Sequence, residues 1–127
     1  MKMTKQQFYD ANVRAARDDT FPGWRYGHGC DYRFTDERGR ERRCAAGLLL
    51  EEGEMPPELA SSVSFGGNKS FFEERLPEGV SIEDLKMVQS IHDNTAIGGC
   101  WTPEKFLAAL NRLTVFADVK KVEVAAA

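Results

Sequence analysis

The chain has 127 residues, of which 42% are apolar and 29% are charged, and its formal net charge at pH 7 is −3. This length favours a single domain over residues 1–127, with a core large enough to need no disulfide or metal. The acidic balance argues against a nucleic-acid binder. Eight of the ten arginines precede residue 45, so we expect any anion to be met in that part of the chain.

No membrane span or export signal is expected. The longest fully apolar run, residues 44–50, is far too short to cross a bilayer. The first ten residues contain neither a hydrophobic stretch nor a cleavage site. We therefore expect a cytoplasmic protein with reduced thiols, and a disulfide between Cys30 and Cys44 is disfavoured on that redox argument.

The first predicted element is a helix that begins after Thr4. Its hydroxyl can cap the amide of Gln7, whose own side chain can reach back. Apolar residues then recur at helical spacing as far as Ala15, and Pro22 stops the pattern.

A β-hairpin is predicted next, because residues 30–35 and 40–46 alternate in polarity around a turn sequence. A hairpin centred near Glu37 places Cys30 opposite Cys44, and cross-strand partners lie about 4.5–5.5 Å apart at Cβ. The two thiols are therefore expected to be neighbours. The same register puts Tyr32 opposite Arg42, whereas a shift of one residue would turn that face over.

Residues 51–80 are expected to form a loop, since prolines 56 and 57 exclude a continuous helix there. Three phenylalanines, at positions 65, 71 and 72, are unusual for such a loop. They either tuck onto the core, which is the favoured interpretation, or line a groove or a partner contact.

Two further helices complete the predicted fold. Ser81 caps the first with Asp84 three residues on, and Thr102 caps the second with proline at its first position. Residues 119–127 are expected to be a short strand or a frayed tail. The predicted fold class is α+β, with a small antiparallel β-hairpin or sheet packed against three or four α-helices. The inward positions of the two helices are Ile82, Leu85, Val88 and either Ile91 or His92, then Phe106, Leu110, Leu113 and Phe116 or Ala117.

The cysteines leave three interpretations open. Small buried apolar side chains are favoured. A zinc site could use Cys30, Cys44, His92 and Cys100, although no Cys-x-x-Cys spacing is present. A hydrolase could use Cys44 as the nucleophile, His92 as the base and Asp93 as its orienter. Against this, adjacent helical residues point about 100° apart and cannot easily bond each other.

A ligand site is predicted in the segment "GWRYGHGCDYR", residues 23–33. Aromatic rings stack on bases and arginine forks grip phosphate oxygens, so this composition suits a nucleotide-like ligand. The alternative is a packed loop whose rings fill the core and whose arginines face water. No glycine-rich phosphate loop is present, which disfavours an ATPase or a dinucleotide enzyme. The candidate ligand-binding residues are Trp24, Arg25, Tyr26, Tyr32 and Arg33, joined by His92 and Asp93 from the facing helix.

Three motifs carry a resemblance to a known family. They are Cys30-x-Tyr32-Arg33, then Arg43-Cys44-Ala45-x-Gly47-x-Leu49, then Val88-Gln89-x-Ile91-His92-Asp93. Over roughly residues 25–115 the chain resembles a family of small proteins encoded by phages, prophages and bacteria. That family typically has isoleucine where this chain has Ala46.

The resemblance implies a phage-type protein acting in the cytoplasm of a host bacterium. Small non-enzymatic phage proteins often either block a host protein or sequester a host signalling nucleotide, which counters bacterial defence. The aromatic and arginine-rich segment favours sequestration of a nucleotide-like molecule by a homo-oligomer, without a cofactor or bound metal. The phenylalanine-rich loop favours the alternative, an inhibitor that binds a host protein surface.

Overall fold

The structure is a computed structural model that describes residues 2–18, 20–21, 24–25, 29–30, 32–58, 62–97 and 102–124. For residues 24–25, 29–30 and 95–97 it describes the main chain alone. An α+β fold is confirmed, with helices packed around two short antiparallel hairpins. In chain order the elements are α1 (Lys5–Arg17), β1 (Trp24–Arg25), β2 (Gly29–Cys30), β3 (Arg33–Thr35), β4 (Glu41–Arg43), a 3-10 helix (Ala46–Leu49), α2 (Gly66–Glu73), α3 (Ile82–Ile97), α4 (Pro103–Asn111) and a 3-10 turn (Thr114–Phe116).

Helix α1 begins as its capping sequence predicts. The Gln7 amide donates to Thr4 Oγ1 over 3.1 Å, and the Thr4 amide donates to Gln7 Oε1 over 2.8 Å. These two bonds satisfy amides that the first helical turn leaves without partners. The buried face of α1, which includes Phe8 and Tyr9, packs against α4 and the first 3-10 helix.

The two hairpins correct the predicted strand pairing. Cys30 pairs with Trp24 across β1 and β2, so it does not face Cys44 in a common hairpin. In the second hairpin Arg42 pairs with Phe34, not with Tyr32 as predicted.

The turn chemistry explains the different register of the second hairpin. The Asp36 carboxylate accepts hydrogen bonds from the amides of Arg38 and Arg40, each over 2.9 Å. Gly39 completes the turn at a φ of 76°. The turn is therefore centred on residue 38, one position later than the sequence indicated.

Helix α2 lies in the stretch that was predicted to be a loop. Asn68 ties its first turn to the preceding chain: Nδ2 donates to the Glu58 carbonyl over 2.7 Å, and Oδ1 accepts from the Glu58 amide over 2.9 Å. The tucked interpretation of the phenylalanines is confirmed for Phe72, which is buried, and in part for Phe71. It is wrong for Phe65, which is 58% exposed.

Helices α3 and α4 follow their predicted caps. Ser81 and Asp84 exchange amide-to-side-chain bonds of 3.0 and 3.1 Å, and the Lys105 amide donates to Thr102 Oγ1 over 3.2 Å. Of the alternative inward residues of α3, His92 is fully buried and Ile91 is half-buried. On the last apolar face Phe116 is buried and Ala117 is exposed.

The end of the chain differs from both predicted forms. Residues 119–124 belong to no β-ladder of the described chain, and they are not frayed, because side chains of α1 and α4 bind their main chain.

Among the helices that the structure describes, none is both long and apolar enough to cross a membrane.

Candidate functional site

The segment predicted to bind a ligand is described only in part. Tyr26 lies outside the described residues, and Trp24 and Arg25 are described as main chain in β1. Strand β1 lies against α3. Phe21, three residues before it, meets the His92 ring edge-on at 5.0 Å between centroids. The β1 main chain and His92 therefore lie in the same part of the molecule.

Tyr32 belongs to the core in this structure. Its side chain is buried, and its ring centroid lies 5.3 Å from that of Phe72. Its carbonyl accepts a long hydrogen bond, 3.4 Å, from the Cys44 amide. The ring is therefore not on an open surface where a base could stack on it.

Arg33 is held by acidic and carbonyl groups of the chain. Its Nε lies 2.9 Å from Glu41 Oε1, and its Nη1 donates to the Glu51 carbonyl over 3.3 Å. The same Glu41 oxygen lies 2.8 Å from Arg43 Nη2. Because Arg33 and Arg43 share this carboxylate, an anion bound at Arg33 would compete with an ion pair already formed.

His92 and Asp93 are brought together, which corrects the prediction that neighbours on a helix cannot bond each other. His92 Nδ1 lies 3.0 Å from Asp93 Oδ1, and Gln89 Nε2 donates to that same oxygen over 2.7 Å. An ionised carboxylate can only accept, so the imidazole carries a proton on Nδ1. The Asp93 side chain is 33% exposed, whereas His92 is fully buried.

Gln89 links this pair to the loop that carries Cys44. Gln89 Oε1 accepts the Ala46 amide over 2.9 Å, at the start of the first 3-10 helix. The sequence analysis named Gln89 only as part of the third motif and not among the candidate site residues. Its position four residues before Asp93 places both side chains on one helix face, and that spacing was the signal available.

Burial raises the pKa of the Cys44 thiol from 9.0 to about 12. The negative charge of Asp93 acts in the same direction, while the Gly47 and Ala46 amides and the Gln89 side chain oppose it. The thiol is therefore protonated at neutral pH. The hydrolase interpretation needs the opposite, a thiol whose pKa is lowered by a neighbouring helix terminus.

The three sequence motifs, which include Tyr32, Gly47 and Gln89, meet around this network. A Cβ built on Gly47 would lie 1.8 Å from the Tyr32 carbonyl oxygen, so these two main chains are in direct contact. Arg43 Nη1 donates to the carbonyls of Gly47 and Leu50 over 3.1 and 3.0 Å. We name the set Cys44, Gly47, Gln89, His92 and Asp93 the Cys44 network.

The zinc interpretation falls partly outside the described residues, since they exclude Cys100 and the side chain of Cys30. Among the residues that the structure describes, no group of three His, Cys, Asp or Glu side chains could hold a metal ion.

A cavity of about 410 Å³ is lined by none of the five residues of the Cys44 network. It is lined by residues near the start of the chain, by the first 3-10 helix and the loop after it, and by the two residues that follow α2. None of the predicted ligand-binding residues lines it. Its lining residues are Lys2, Met3, Leu48, Leu49, Leu50, Glu51, Glu54, Glu74 and Arg75.

Comparison with known proteins finds no family model, no curated protein and no solved structure that matches this chain.

Proposed function

We propose that this chain is a non-enzymatic binding protein of the phage-encoded type, which sequesters a nucleotide-like signalling molecule and so counters bacterial defence. The ligand lies between the segment of residues 24–33 and the His92–Asp93 part of α3. In this proposal Trp24 and Tyr26, and not the buried Tyr32, stack on the base, and Arg25 binds phosphate.

The observation that carries this proposal is the fixed and partly exposed carboxylate of Asp93. Gln89 and His92 both donate to one of its oxygens, so its position is set before a ligand arrives. A preorganised acceptor of this kind suits the N–H groups of a base or the hydroxyls of a ribose. Strand β1, which carries Arg25, lies against the same helix.

The state of Cys44 favours binding over catalysis. The thiol is buried and its pKa is raised to about 12, so the nucleophilic thiolate is scarce at neutral pH. A Cys-dependent hydrolase is therefore the less favoured function for this network.

Thermal unfolding of the full chain with a panel of cyclic mononucleotides, cyclic dinucleotides and ADP-ribose-type nucleotides tests the proposal. A ligand at 100 times its Kd stabilises the native state by about 2.7 kcal/mol, which is readily seen as a higher Tm. We expect Arg25→Ala and Asp93→Asn to lose this shift relative to their own ligand-free Tm. Arg38→Ala, at the exposed hairpin tip, is the control that keeps it.

Two results would count against the proposal. One is a panel in which no nucleotide raises the Tm of the wild-type chain. The other is a shift that survives both Arg25→Ala and Asp93→Asn, because the ligand would then bind elsewhere.

A second candidate function, inhibition of a host protein by surface contact, is favoured by one exposed apolar feature. Phe65 is 58% exposed at the start of α2, and Met55 is 42% exposed in the loop that Asn68 ties to that helix. A Phe65→Ser chain would then lose a bacterial protein that co-purifies with the wild type, whereas Lys69→Ser on the exposed face of α2 would keep it. Equal recovery with both variants would exclude Phe65 as the contact.

A further inference from the structure

The cavity of about 410 Å³ beside the first 3-10 helix has an apolar wall. Leu48, Leu49 and Leu50 form this wall together with Met3, which precedes α1. Leu49 and Leu50 are buried in the core, while Leu48 and Met3 are half-buried and pack against it. The volume lies within the range of small-molecule pockets, about 300–1,000 Å³, and such a wall suits a hydrocarbon or aromatic group.

Hydrogen bonds hold the main chain that continues from this wall. The Leu50 carbonyl accepts from Arg43 Nη1 over 3.0 Å, and the Glu51 carbonyl accepts from Arg33 Nη1 over 3.3 Å. The Glu51 amide donates to Glu54 Oε1 over 3.1 Å, which closes the turn that follows. This side of the cavity is therefore preorganised, and a ligand would bind it without having to order the loop.

Two of the charged side chains in the lining neutralise each other. Arg75 Nε donates to Glu54 Oε1 over 3.0 Å, and Arg75 Nη2 donates to Glu54 Oε2. The Phe71 carbonyl accepts from Arg75 Nη1 over 2.8 Å, and the guanidinium lies 3.7 Å from the centroid of the Phe71 ring. Arg75 and Glu54 therefore form a fixed ion pair whose two charges balance.

Two further carboxylates line the cavity outside this pair. Glu51 and Glu74 are both exposed. Glu74 Oε2 lies 3.6 Å from Arg75 Nη1, and the Glu74 side chain is 77% exposed. The Glu51 carboxylate has no ion pair with any residue that the structure describes. The bond with Glu54 and then the charges of Glu74 and Glu51 raise the pKa of Arg75, so all three carboxylates lie near one guanidinium.

Lys2 is the remaining charged residue of the described lining. It is exposed and forms no ion pair within the described part of the chain. Its charge offsets one of the two carboxylates outside the Arg75 pair, so one carboxylate is left uncompensated. A ligand with one positive charge would supply the missing partner, whereas an anion of the same shape would be repelled.

We propose that this cavity binds a small apolar amine, a monocation whose hydrocarbon or aromatic body lies on Leu48, Leu50 and Met3. Its ammonium group donates to the carboxylates of Glu51 and Glu74, since an ammonium offers three donors and an ionised carboxylate only accepts. This site shares no residue with the nucleotide site proposed above and does not depend on it.

Chemical-shift mapping of the full chain with 2-phenylethylamine tests the proposal. The matched probe is 3-phenylpropanoate, which also carries a phenyl ring on a two-carbon linker but has the opposite charge. We expect the amine to shift the ¹H–¹⁵N amide signals of Met3 and of residues 48–54. We also expect it to bind about tenfold more tightly than the carboxylate, because the amine gains attraction where the carboxylate meets repulsion.

Three variants check the role of charge. Glu51→Gln with Glu74→Gln keeps the apolar wall, and it should bind the amine about tenfold more weakly and lose the preference over 3-phenylpropanoate. Lys2→Gln should bind the amine more tightly, because it removes a like charge. Glu52→Gln, an exposed neighbour outside the lining, is the control that keeps the wild-type affinities.

Four results would overturn the proposal. The first is the absence of amide shifts in the wild type with 2-phenylethylamine at millimolar concentration. The second is equal or tighter binding of 3-phenylpropanoate, which would make the ligand class wrong. The third is a set of shifts confined to residues outside the lining, such as 89–93, because the amine would then bind elsewhere. The fourth is an unchanged amine affinity in the double variant.

Discussion

Asp93 accepts a hydrogen bond from the residue directly before it, with 3.0 Å between its Oδ1 and the Nδ1 of His92. Neighbouring side chains on a helix diverge by about 100°. Nδ1 is the ring nitrogen closer to the main chain, so it can still reach the Asp93 carboxylate when that group is turned toward His92. Gln89, one turn earlier, holds that carboxylate through the same oxygen. The contact is therefore a property of three residues on α3.

This geometry predicts the tautomer of His92. Because an ionised Asp93 can only accept, neutral His92 must carry its proton on Nδ1. Two-bond ¹H–¹⁵N correlation spectra at pH 8 should therefore show an unprotonated Nε2. Asp93→Asn should remove this preference and lower the free energy of unfolding by about 1–2 kcal/mol. Glu83→Gln, on an exposed position of the same helix, should change neither quantity. A wild-type spectrum with the proton on Nε2 would contradict the assignment.

The Cys44 thiol predicts a loss of stability at alkaline pH. The ordinary pKa of a cysteine thiol is 9.0, and burial raises that of Cys44 to about 12 in the native state. As the pH rises, the unfolded chain therefore loses this proton first. The contribution of Cys44 is constant below pH 9 and then falls by about 1.4 kcal/mol per pH unit up to pH 12. The measurement is the free energy of unfolding of the wild type minus that of Cys44→Ala, by urea denaturation. A difference that stays constant from pH 8 to pH 11 would contradict the prediction.

The elements that the sequence predicted best are those with local signals. Thr4, Ser81 and Thr102 each bond an amide three residues further on, as the capping patterns indicated. These contacts involve a single turn of chain, so the residue types at the two positions are enough to predict them.

The parts that the sequence did not predict depend on contacts between distant residues. Helix α2 starts with two glycines, which disfavour a helix, and Asn68 holds that start to Glu58 ten residues earlier. Tyr32 is in a segment that resembles an open aromatic loop, yet Phe72 covers its ring. The candidate site could not be predicted from the sequence for the same reason, because the Cys44 network joins α3 to a loop more than forty residues earlier.

The close contact at Gly47 predicts that even the methyl side chain of alanine strongly destabilises the protein there. A Cβ at this position would lie 1.8 Å from the Tyr32 carbonyl oxygen, which belongs to the main chain and cannot move alone. Gly47→Ala should therefore lower the free energy of unfolding by about 3 kcal/mol, at the upper end of overpacking costs. Gly67→Ala is the control, because its nearest contact would be 3.5 Å, to Pro57 Cβ. Equal urea midpoints for the two variants would show that the loop relaxes freely.

The contacts of Arg75 predict that lysine at this position stabilises the protein less than arginine does. Its Nε and Nη2 bond the two oxygens of Glu54 over 3.0 and 2.5 Å, and its guanidinium lies 3.7 Å above the Phe71 ring centroid. Lysine cannot reproduce a two-pronged pair stacked on a ring. Arg75→Lys should lower the free energy of unfolding by about 1–2 kcal/mol. Arg38→Lys, at the exposed hairpin tip, should change it by less than about 0.5 kcal/mol.

The same pair predicts how this stabilisation depends on acid. The hydrogen bond from Arg75 holds the pKa of Glu54 below its ordinary value of 4.5. A lowered native pKa gives stability that is fully present above pH 4.5 and is lost as pH falls through the native value. The gap in urea midpoint between the wild type and Arg75→Gln should therefore narrow below pH 4.5. A gap that stays constant in acid would mean that Arg75 acts through its contact with Phe71 and not through the Glu54 carboxylate.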